Sequence, residues 1–128
     1  MDAFLRGRAA ISNDDMNARN ESITVIRDTW EMVSAGTAIH YLNSALENFD
    51  DMALRAHALS EAIAFTYAIQ FNETKTLSNN QVSEILIDMA GDDEFLAMNL
   101  YEVERAGIEA AKNKLAEAFN WNDIKDDF

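Results

Sequence analysis

Residues Ala35–Gln70 read AGTAIHYLNSALENFDDMALRAHALSEAIAFTYAIQ, and this run decides the fold. Ile39, Leu42 and Leu46 recur every three or four residues, as do Leu59 and Ile63 further on. That period places each set on one face of an α-helix. Asn48–Asp51 interrupts the pattern with polar turn formers, so the stretch predicts two antiparallel helices. Alanines at 53, 56, 58, 62, 64 and 68 thin the second helix and predict a close helix–helix approach.

Outward from the hairpin, the first of these helices begins at Asp14 or Asp15 and ends at Asn48. Its two stripes, Ile23–Ile26–Trp30–Val33 and Met32–Ala35–Ile39–Leu42, mark it as central, with Trp30 as a core or rim aromatic. A short helix, Ala3–Ile11, precedes it, and Asp51–Phe71 follows. Gly36 costs about 1 kcal/mol in a helix interior, so close packing against a neighbour is its expected role. Ser78 and Gln81 form a capping-box pair ahead of a helix over Asn79–Ala90, closed by Gly91. A last helix is predicted over Leu100–Phe119, capped by Asn99 through Glu102. In the tail, Trp121, Ile124 and Phe128 are spaced to pack back. The expected fold is all-α: a single up-and-down bundle of four main helices plus a short N-terminal helix, over residues 1–128. The chain has no proline, which permits such long helices. Because residues 2–11 already look like the end of a helix, the chain reads as a fragment or C-terminal half of a longer protein.

Both histidines lie in the hairpin, with Glu61 one turn past His57. Residues pairing across a turn near position 50 bring His40 level with Glu61. Two imidazoles and a carboxylate suit iron or zinc, so His40, His57 and Glu61 form the candidate metal site. A structural polar cluster is the main competing reading, and acid/base catalysis a weaker one. No E-x-x-H pair, H-E-x-x-H, G-x-S-x-G, phosphate loop or cysteine is present, so no catalytic residue is assigned and the domain reads as non-enzymatic.

Ten Lys and Arg against 23 Asp and Glu give a net charge of −13. Such a field repels nucleic acid and anionic membranes. No run approaches the roughly 18 apolar residues of a membrane span. The remaining partner classes are a metal ion or haem, a protein, or a second copy.

Several segments carry a family likeness: FLRGRAAISNDD (Phe4–Asp15), AGTAIHYLN (Ala35–Asn43), RAHALSEAIAF (Arg55–Phe65), the Lys75–Leu86 pattern KTLSNNQV…IL, and AKNKLAEAFNW (Ala111–Trp121). Together they resemble the C-terminal half of the bacterial domain of unknown function 4856 family. The resemblance implies helical, Bacteroidetes-type lipoproteins with an imelysin-like character, hence a periplasmic or cell-surface location and a link to iron or haem uptake. Imelysin-like proteins carry G-x-H-x-x-E. Here Gly36 stands four residues before His40, and Asn43 stands where the glutamate belongs, so only His40 carries over. Glu61 is the residue that could replace the missing carboxylate. Two functions follow as expectations: an extracytoplasmic binding or accessory domain, or a structural domain whose acidic surface or apolar patch meets a protein partner or a missing N-terminal half. An exposed apolar patch on the first or last helix favours the second.

Overall fold

The computed structural model describes all residues, Met1–Phe128, and contains helices but no strand. The helices are α1 (Asp2–Ser12), α2 (Met16–Glu47), α3 (Met52–Ala68), α4 (Asn79–Ala90) and α5 (Arg105–Ala118). A 3-10 turn, Ile69–Phe71, extends α3. The all-α architecture expected from the periodicity is present.

The helix starts follow local chemistry. Asp15 accepts from the Ala18 N–H at 3.0 Å. Asp51 accepts from the N–H groups of Ala53 and Leu54 at 3.0 and 3.1 Å. Ser78 and Gln81 bond reciprocally, as their spacing predicts, and Gly91 closes α4 at φ 82°. Side-chain oxygens thereby satisfy amides that have no intrahelical acceptor.

Four elements close into a ring: α2 packs on α3, α3 on α4, α4 on α5, and α5 back on α2. The core between them is one cluster that includes Ile39, Leu42, Leu59, Leu86, Met89, Ile108 and Leu115. At one seam the approach is backbone to backbone. A Cβ on Gly107 would lie 2.2 Å from the Asp88 carbonyl oxygen, so α5 can approach α4 this closely only with glycine there. At the α2–α3 turn, the guanidiniums of Arg55 and Arg105 sit over the Phe49 ring at 4.7 and 4.6 Å. The same two side chains donate to the Phe49 and Leu46 carbonyls at 2.7 and 3.1 Å. They tie the turn to the start of α5.

Helix α2 has 32 residues against 17 in α3. At 1.5 Å per residue it is about 48 Å long and overhangs its hairpin partner by roughly 20 Å. Helix α1 packs only along this overhang, on α2 alone. Ala10 and Ser22 are buried in that seam, and a Cβ on Gly7 would lie 3.2 Å from the Ser22 Cβ. The molecule is therefore a four-helix body with a two-helix arm.

One helix boundary differs from the sequence expectation. Helix α5 starts at Arg105, not near Leu100. Asn99 turns its side chain inward on its own loop: its Oδ1 accepts from the Tyr101 N–H at 3.2 Å and its Nδ2 donates to Glu102 at 3.0 Å. These bonds build a local turn that competes with helix initiation. The tail does pack back through half-buried Trp121 and Phe128, while Ile124 stays exposed.

Candidate functional site

The three residues expected to converge do not share a common pocket or contact. His40 is exposed on α2 and lines a groove of about 490 Å³ with Met32, Val33, Gly36, Trp121 and Phe128. It thus faces the C-terminal tail, and its ring meets Tyr41 edge-on at 5.4 Å. His57 is exposed on α3, and Glu61 is half-buried and joins no ion pair. No three His, Asp or Glu side chains anywhere in the chain are grouped closely enough to hold a metal ion. His40, His57 and Glu61 are not brought together as such a group.

The reason lies in helical phase. At helical spacing His57 and Glu61 share a face with Ala53, Ala64 and Ala68, and these three alanines, among those expected to bring the helices close, are exposed. The packed stripe of α3 is Ala58, Leu59, Ala62, Ile63 and Thr66, which carries the larger apolar volume. Being level along the hairpin does not turn a side chain towards its neighbour.

Gly36 does have the close contact expected of it, and the neighbour is the tail. A Cβ there would lie 2.9 Å from the Phe128 ring. Asn43 anchors the same segment by donating to the Lys125 carbonyl at 2.8 Å, and Lys112 bridges Asn43 and Asp126 at 3.0 and 2.6 Å. The hydrogen bond and the charge of Lys112 hold the Asp126 carboxyl below its ordinary value.

Glu31 was not among the sequence candidates. It is 5 % exposed, on the core face of α2. Its Oε1 accepts from the Thr76 N–H at 2.6 Å, and its Oε2 accepts from the Asn72 side chain. Beside it, Arg27 pairs with Glu73 at 2.8 Å and Asp28 accepts from the Thr74 hydroxyl at 3.0 Å. One helical turn of α2 therefore fixes the whole Asn72–Thr76 loop, at the point where arm becomes body. The signal was present in the sequence: the core stripe Leu42–Ala38–Ala35, continued back one turn, lands on Glu31.

The arm carries an unpartnered apolar face. Phe4 and Ile11 of α1 are 58 % and 60 % exposed, and Met16, Ile23 and Trp30 of α2 are 47 %, 37 % and 69 % exposed. Within each helix these residues recur at intervals of seven. On a wheel of 100° per residue each set lies about a quarter turn from its own seam, on the same side of the antiparallel pair. Trp30 continues the face into a groove of about 670 Å³ walled by Ile26, Ile69 and Phe71, the last 72 % exposed.

The domain of unknown function DUF4856 matches residues 1–122. The chain belongs to this family. No curated protein and no solved structure matches it. The family match covers both arm and body, including the hairpin, the Glu31 clamp and the DUF4856-like segments at Phe4–Asp15 and Arg55–Phe65. No helix is long and apolar enough to cross a membrane.

Proposed function

We propose that this DUF4856 domain is a non-enzymatic protein-interaction or accessory domain whose docking surface is the apolar face of the α1–α2 arm. One observation carries the proposal: five large apolar side chains on one side of a helix pair that has no third element to cover them. A helix pair must bury its apolar stripe against another layer. An exposed patch of this kind marks an interaction site. The family resemblance supports work outside the cytoplasm. The iron or haem link finds a single histidine, His40, on an apolar groove, and no convergent ligand set.

A photo-crosslinking residue placed at Ile23, with a control at exposed Glu109 on α5, tests this in the native cell. A discrete protein adduct is expected from position 23 and none from position 109. No adduct at position 23 removes the docking surface.

A further inference from the structure

We infer that the occupant of the arm is a second copy of the chain, two arms pairing about a two-fold axis as an antiparallel four-helix bundle. The inference rests on the reading of the arm as a docking surface and adds the identity of the partner.

The spacing of the face states what kind of surface fits it. Phe4–Ile11 and Met16–Ile23–Trp30 repeat every seven residues on two antiparallel helices. A seven-residue repeat keeps an apolar seam aligned with a neighbouring helix that crosses at a small angle. A helical hairpin presenting two such seams is half of a four-helix bundle, and the chain itself supplies such a hairpin in every copy. A two-fold axis is the simplest way for one surface to be its own complement.

Charge points the same way. Residues 1–33 carry six carboxylates and four arginines, a net of −2, whereas the remainder carries −11. Two copies with a total of −13 each repel one another over most of their surfaces. The arm is an apolar region where that repulsion is nearly absent. The area is also adequate: with Phe71, the exposed apolar side chains supply roughly 600 Å², which a polar rim raises towards the about 800 Å² per partner of a specific interface.

Sedimentation equilibrium on the purified full chain, from low micromolar to near-millimolar, reads the association directly. A monomer–dimer equilibrium is expected. The double variant Ile23→Glu/Trp30→Glu, at exposed positions, should weaken it at least tenfold with unchanged helical circular dichroism. Leu5→Glu, exposed but a half turn from the α1 seam and off the five-residue face, should leave it within twofold. A chain that is monomeric throughout, or a dimer that the double variant leaves intact, overturns the inference. The crosslink at position 23 separates the two failures: an adduct of twice the chain's mass supports self-pairing, an adduct of another mass overturns self-pairing but keeps the docking surface, and no adduct overturns both.

Discussion

The two halves of α2 are one continuous helix with opposite surroundings. From Glu31 to Glu47 the chain is ringed by α3 and α5, and Ala35, Ala38, Ile39, Leu42 and Ala45 are wholly buried. From Met16 to Trp30 only Ser22 is buried, while Ile23, Val25 and Trp30 lie exposed. Both halves have apolar periodicity. The difference shows that a stripe states where a helix will pack and not whether the packing partner belongs to the same chain. The second half holds the fold, and the first half carries the face proposed for docking.

The sharpest way to break this contrast is to delete one side chain from each half. Leu42→Ala in the body should cost roughly 2–5 kcal/mol, because the neighbours of a buried leucine relax only partly around the cavity. Urea unfolding monitored by circular dichroism reads this as a lower midpoint. Should the loss be below about 1 kcal/mol, the ring of helices around α2 is looser than described.

The joint between the halves comes next. Glu31→Ala leaves the Thr76 N–H and the Asn72 amide without their acceptor, a loss of roughly 1–2 kcal/mol for two partly buried hydrogen bonds. Glu31→Gln keeps one carbonyl acceptor and should lose less. Amide exchange locates the effect: protection should fall at Asn72–Thr76 and stay high at Ile39–Ala45. An equal loss across the chain contradicts the view of Glu31 as a local clamp.

Much of this was legible beforehand. The hairpin turn, the Ser78 cap and the Gly91 closure all follow from residues acting within a few positions of themselves, and Gly36 signals a close neighbour without showing that it is Phe128. What the sequence could not convey were relations between elements. The sequence pattern sets His40 level with Glu61 across the hairpin, but the direction of each side chain depends on helix rotation, which the larger apolar volume at Leu59 and Ile63 decides. Trp30 has the spacing of a core residue and is exposed because it lies roughly a third of a turn from the Glu31–Ala35–Ala38–Leu42 core stripe of α2. The start of α5 moved because Asn99 bonds its own turn.

The arm should respond oppositely to the body. Trp30→Ala, with the side chain 69 % exposed, should change the stability of dilute monomer by no more than about 0.5 kcal/mol. Amides of α1 and of Met16–Trp30 should also exchange faster than those of Glu31–Glu47, because few buried contacts hold them. A large Trp30→Ala loss at low concentration means that the arm already has an internal partner.

The smallest effect is at the tail. The Lys112 ammonium lowers the Asp126 carboxyl, so the folded form holds its negative charge to lower pH than the unfolded form. The contribution is therefore fully present above the ordinary carboxylate range and is lost as pH falls through the depressed folded value. Asp126 is solvent-exposed, so the effect is local: the tail should loosen while the core stays folded. Trp121, stacked on Phe119 at 4.9 Å, reports this once the other tryptophan is removed by Trp30→Phe. Its emission should shift to the red at acid pH before helicity falls. Asp126→Asn should show the red-shifted emission already at neutral pH and lose that acid step. An unaltered step assigns the tail's attachment to Asn43 and the Gly36–Phe128 contact instead, and leaves the Lys112 pair as a surface ion pair of little consequence.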